Sequence, residues 1–199
     1  IKCIAGLLTP DEGSISFSKP HAAIAYLPQA AELPRDFPLS VLQLVASGHW
    51  HKTGAFGTIT KSMQSGALQA LHDVGLGHCA DRDLASLSYG QFQRVLFARL
   101  MVQDAPLILL DEPFTAIDEE TTAHLIEVVR RWHREGRTVI CVLHDIQQIS
   151  TYFPECLLVA RECMAWGPTA SVVTQDKLPY FRFFHERLNS TTEICKQAS

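Results

Sequence analysis

Two kinds of apolar pattern divide this chain. Short runs that are apolar at nearly every position lie at 22–27, 107–110 and 138–143. Such a run, without polar alternation, is the pattern of a strand buried on both faces, as in a parallel sheet. Between the later runs the apolar residues recur at helical spacing. Phe92, Val95 and Leu96 share one face within 89–102. Leu125, Val128, Val129 and Trp132 share another, in a helix that opens on Asp118, Glu119 and Glu120 and stops at Gly136. Strands and helices in alternation predict an α/β fold with a parallel sheet. A further short strand is expected at 14–17, and a hairpin at 157–160 and 163–166, ahead of Gly167-Pro168. Residues 1–8 have the texture of a helix's last turns, stopped by Gly6 and then Pro10. The native N-terminus is therefore expected to lie upstream of Ile1.

From 39 to 85 the texture changes. No convincing strand occurs, and Val41, Leu42, Leu44 and Val45, then Leu68, Leu71 and Val74, are spaced as on helices. The stretch reads as a small helical lobe inserted into an α/β core made of 1–38 and 86–175. Residues 30–38, with Pro34 and Pro38, read as a loop, and 176–199 as a C-terminal tail crowded with Tyr180, Phe181, Phe183 and Phe184.

Composition narrows the classes. The chain is 47% apolar and 19% charged, enough for a sizeable core and unlike a disordered segment. A net charge of −4 and a pI near 6.1 give no support for a nucleic-acid-binding surface, so no nucleic-acid partner is expected. No apolar run approaches the ~20 residues that span a bilayer, so membrane association would go through a partner. Six cysteines, none in a Cys-x-x-Cys pair, read as reduced and mostly buried thiols of a cytosolic protein.

The chemistry concentrates at two places. Leu107-Ile108-Leu109-Leu110 ends in Asp111 and Glu112, a buried strand delivering two carboxylates to its carboxyl-end edge. In open α/β sheets that edge is where ligands bind. Upstream, Ser88-Tyr89-Gly90-Gln91 opens a helix, whose N–H groups and positive dipole end suit a phosphate. Ser88 and Asp118 also fit plain helix N-caps.

These segments resemble the Walker B and signature motifs of ABC-transporter ATPases, and further motifs arrive in the family's order. Gln29, after Tyr26-Leu27-Pro28, is similar to the Q-loop glutamine, Thr115-Ala116-Ile117-Asp118 to the D-loop, and His144 to the H-loop histidine. The resemblance implies a P-loop NTPase (RecA-like) core with an inserted helical subdomain, N-terminally truncated, and ATP with Mg²⁺ as its ligands. Asp111 would hold Mg²⁺, with Gln29 reaching the metal or the attacking water. Glu112 would polarise that water, and His144 would contact the γ-phosphate. Ser88, Tyr89, Gly90 and Gln91 would cap a nucleotide held by the other subunit of a homodimer, and Asp118 would cross that interface.

Two departures accompany the resemblance. Tyr89 stands where the family usually has glycine. No Gly-x-x-x-x-Gly-Lys-[Ser/Thr] occurs in the 199 residues, and the aromatic that stacks adenine is missing too. This chain by itself is therefore expected not to hydrolyse ATP, while the full-length protein does. Gly57-Thr58-Ile59-Thr60-Lys61-Ser62 echoes a phosphate loop but follows no strand, and His49-Trp50-His51 offers two metal ligands without a third.

Within the family, the 35–41 segment, Gly48 and Gly167-Pro168-Thr169 resemble the importer ATPases for zinc, manganese and chelated iron. That likeness implies a paired ATPase beneath an integral membrane permease, peripheral to the inner face of the cell membrane. An extracytoplasmic metal-binding protein would act indirectly. Two alternatives are a soluble ABC ATPase of translation or repair and a non-catalytic interaction fragment.

Overall fold

The computed structural model describes residues 1–18, 23–29, 33–54, 57–115, 117–160 and 162–174. The tail at 176–199, with its aromatic cluster, lies outside the described residues, as do Ala22 and Ala116. Two compact units are present, Ile1–Val142 and Leu143–Ser199.

The first unit is built on a parallel sheet of β1 (Ile24–Leu27), β2 (Leu107–Asp111) and β3 (Thr138–Val142), with β2 in the middle. Its register pairs Leu27 with Leu110, and Asp111 with Val142. The central strand is apolar throughout because both its faces are covered: Ile108, Leu109 and Leu110 are each fully buried. The expected strand at 14–17 does not form. Its backbone is irregular and Ile15 and Phe17 are exposed. A strand exists only by pairing, and among the described residues this segment has no ladder partner. Residues 1–8, expected as the end of a helix, form a hydrogen-bonded turn instead, with Gly6 N–H to the Cys3 carbonyl, Leu7 N–H to the Lys2 carbonyl and Gly6 at φ 74°.

Residues 41–86 fold as α1 (Val41–Ala46), α2 (Trp50–Thr53), α3 (Lys61–Asp73) and short 3₁₀ turns. Thr60 is the N-cap of α3, accepting from Met63 N–H at 3.3 Å. The segment that echoes a phosphate loop is thus an ordinary helix start. Helix α4 (Tyr89–Gln103) packs against α1 and α3 and also against β1, so it is buried nearly all round. Helix α5 (Glu119–Arg134) has the opposite character. Leu125, Ile126, Val128, Val129 and Trp132 form its buried stripe, with acids in the first turn and bases in the last, which suits the macrodipole. Phe97 of α4 stacks between Trp132 and Phe114, with ring centroids 6.0 and 6.2 Å away.

The second unit contains α6 (Ile146–Tyr152), the antiparallel hairpin β4 (Glu155–Ala160) and β5 (Glu162–Pro168), and α7 (Thr169–Val172). Thr169 pins the hairpin's exit, its hydroxyl donating to the Phe153 carbonyl at 2.6 Å and its N–H to Pro154 at 2.9 Å. The five cysteines at 3, 79, 141, 156 and 163 are free thiols. Burial is less general than expected: Cys79 is buried, Cys163 is exposed and the others are half-buried.

Candidate active site

Parallel register fixes the first half of the site. Because Leu27 lies beside Leu110, β1 and β2 end on the same sheet edge, and the residues just past them meet there. Asp111 closes β2, is buried, and accepts from the Tyr26 hydroxyl at 3.3 Å. Gln29 emerges beyond β1 and donates from Nε2 to Glu112 Oε1 at 2.7 Å. A charge-assisted bond of that length orients the carboxylate strongly.

Glu112 leaves the strand with φ at 47°. That left-handed conformation costs a non-glycine residue about 1–3 kcal/mol and persists only when neighbours impose it. Glu112 N–H donates to the Val142 carbonyl at 3.1 Å, extending the β2–β3 ladder one residue past Asp111. Thr115 closes the turn, its N–H to the Glu112 carbonyl at 3.3 Å and its hydroxyl to Glu112 Oε2 at 3.3 Å. Gln93 of α4, 1% exposed, donates from Nε2 to the Pro113 carbonyl at 2.8 Å. Cys141, beside Leu110 in the register, completes the surroundings. Burial first, and the Asp111 carboxylate second, push its thiol far up.

The second half is the start of α4. Ser88 accepts from Gln91 N–H at 3.2 Å, and Gln91 Oε1 accepts from Ser88 N–H at 3.0 Å, a reciprocal capping box. The Ser88 hydroxyl uses only a lone pair in this arrangement, so its hydrogen stays available to donate. Apart from its chain neighbours and its own helix, nothing lies within 4 Å of the position a Gly90 Cβ would take. Tyr89 is half-buried, with Arg35 over its ring at 5.9 Å. Burial, then the field of Glu112, raises its phenol, and Arg35 works in the other direction.

Two further residues implied by the motifs lie on other segments. Asp118 is the exposed N-cap of α5, accepting from Thr121 N–H at 2.8 Å, which holds its carboxyl below the ordinary range. It lines an open groove of ≈ 740 Å³ with Val74, Arg94, Glu120 and His124; Gln29, Asp111 and Glu112 are not part of that lining. His144 belongs to the second unit, exposed, just before Asp145, the N-cap of α6. Sequence reasoning missed Gln93 and Arg35. The signal for Gln93 was an amide set among the apolar residues of a buried helix, which requires a partner. Among the described residues no group of three His, Cys, Asp or Glu side chains is placed to hold a metal, so His49 and His51 form no such site.

Gln29, Asp111 and Glu112 thus share one sheet edge, and Ser88 and Gln91 a capped helix start. The family model described as ABC transporter matches residues 1–115. The chain belongs to the ABC transporter family. The zinc transport system ATP-binding protein TroB of Treponema pallidum (strain Nichols) is 34% identical over 196 residues, covering 96% of this chain and 73% of TroB. The manganese transport system ATP-binding protein MntB of Bacillus subtilis (strain 168) is 34% identical over 183 residues, 89% of this chain and 73% of MntB. Among solved structures, one described as a metal-chelate type ABC transporter in an inward-facing conformation superposes with a TM-score of 0.80 at 28% identity, covering 92% of this chain and 71% of that one. A dimeric ATP-binding cassette bound to ADP and phosphate gives a TM-score of 0.65 at 25% identity, covering 74% and 63%. The chain thus has the α/β P-loop NTPase fold of an ABC ATPase, a nucleotide-binding enzyme of ATP hydrolysis. No described helix is long and apolar enough to cross a membrane.

Proposed function

We propose that this chain is the ATP-hydrolysing part of an importer for metal ions (zinc, manganese or chelated iron), driving a partner permease from the inner face of the membrane. The names of its relatives and its likeness to the metal-chelate type transporter support the substrate class. The observation that carries the site is the 2.7 Å bond from Gln29 to Glu112 at the sheet edge. Phosphoryl transfer asks the protein for positioning and charge neutralisation rather than covalent chemistry. Glu112, held in one orientation by Gln29 and Thr115, is the group that orients or deprotonates the attacking water. Asp111 and Gln29 supply oxygen ligands at the same edge. That set fits Mg²⁺, which takes one or two carboxylates and completes its shell with water and substrate phosphates. Bound there, the ion would neutralise phosphate charge.

In this reading Ser88, Tyr89, Gly90 and Gln91 cap a nucleotide held by a second copy, Asp118 lies at that dimer contact, and His144 reaches the γ-phosphate. The core is 1–38 with 86–175, and 39–85 is the helical signature subdomain. An extracytoplasmic metal-binding protein acts indirectly. The 199 residues alone, without a phosphate loop, do not retain MgATP; isothermal titration showing micromolar affinity would refute that. For the intact protein with its permease, the test is metal uptake together with ATP turnover. Glu112→Gln should abolish both while nucleotide binding persists; uptake that survives the substitution would overturn the assignment.

A further inference from the structure

Arg35 was not among the residues the motifs implied, yet it makes three contacts that all fall on one turn. Its Nη1 donates to the Leu87 carbonyl at 3.5 Å. Its guanidinium carbon lies 5.9 Å from the Tyr89 ring centroid and 5.8 Å from that of Phe92. Leu87 precedes the cap of α4, Tyr89 is its first residue, and Phe92, 2% exposed, anchors the turn in the core. A planar guanidinium stacks on aromatic faces as an ammonium does not, and half-burial of Arg35 and Tyr89 limits competition from water. The contact also places the Tyr89 ring against its own chain.

Arg35 follows Gln29 closely in sequence, and Gln29 is bonded to Glu112. One stretch of chain therefore touches the candidate catalytic acid at its beginning and the start of α4 at its end. We propose that Arg35 is a positioning residue. With the Tyr89 ring it forms a cation–π latch that fixes the Ser88–Gln91 turn relative to the segment leaving Gln29. The tyrosine at a position where glycine is usual is thus one half of a pair. This inference rests on the reading of Ser88–Gln91 as a nucleotide cap.

The test is a double-mutant cycle in the full-length ATPase subunit assembled with its permease. Arg35→Ala should lower kcat about two- to fivefold, the span of a cation–π contact, with KM for MgATP within about twofold because nucleotide retention lies elsewhere. In a Tyr89→Gly background, where the Leu87 and Phe92 contacts remain, the same substitution should change kcat by clearly less than in the parent. In a Tyr89→Phe background, which keeps the ring, the full Arg35 effect should return. An Arg35→Ala effect that is absent, or equal with and without the ring, overturns the latch. Glu112→Gln is assayed in parallel. If it turns over ATP at the unmutated rate, the site reading has failed instead. Coupling between Arg35 and Tyr89 is then read from urea unfolding midpoints of the same proteins, where additivity overturns the latch independently.

Discussion

The turn after β2 and the turn before α4 both present candidate chemistry, but they are held in opposite ways. The α4 start builds itself. Ser88 and Gln91 cap each other with the backbone in ordinary conformations, and both bonds of the cap itself span three residues, with Arg35 reaching the turn from outside only at its edge. The β2 exit is imposed from outside. Glu112 sits at φ 47°, and beside the local bonds of Thr115 its restraints come from Gln29, Val142 and, through Pro113, Gln93. The lesson is that a phosphate cap can be specified locally, because it needs only backbone N–H groups. A carboxylate that must aim at one water needs a tertiary frame.

That contrast can be broken at its strongest point first. Glu112→Gln in the intact protein should lower ATP turnover by about a hundredfold or more, the loss typical of a removed general base, with MgATP still bound. Steady-state turnover beside equilibrium nucleotide binding checks it; a loss under tenfold would demote the residue to a structural one. Next is the frame. Gln93→Leu leaves the Pro113 carbonyl without its buried donor and should cost about 1–3 kcal/mol in urea unfolding. An unchanged midpoint would mean that the β2 exit holds its shape without α4.

Smaller effects belong to the self-built turn. Ser88→Ala removes one reciprocal bond and should cost about 1 kcal/mol by the same measurement, without coupling to Gln93→Leu. Non-additivity would mean the two turns are one mechanical element, contrary to the comparison. The smallest effect is at Asp118. Its carboxyl is held below the ordinary range by Thr121 N–H, so its charged form favours the folded state. That contribution is present above the usual carboxylate pKa near 4 and is lost as pH falls through the lower folded value. Asn also caps helices, so Asp118→Asn should differ from the parent at pH 7 and converge with it only as pH falls below the usual carboxylate range. Parallel unfolding midpoints at every pH would remove the charge from the account.

The same distinction explains what the chain disclosed as text. The strands, the amphipathic α5 and the capped start of α4 were legible because their causes are periodicity and near-neighbour chemistry, although β3, expected to be buried, is exposed or half-buried along its length. The approach of Gln29 to Glu112 followed only once motif order implied it. Gln93 and Arg35 were not legible, since each acts on a residue chosen by the packing of α4 and not by any local pattern. The expected strand at 14–17 failed for a related reason: alternation licenses a strand, and only a neighbour makes one.

The thiols offer an unplanned experimental handle. Cys163 is exposed on the hairpin, Cys79 is buried, and Cys141 is kept protonated by its burial and by Asp111. Only a thiolate attacks an alkylating reagent. Among these three, a fluorophore offered near neutral pH should settle on the hairpin first, leaving the sheet edge unlabelled as an internal reference.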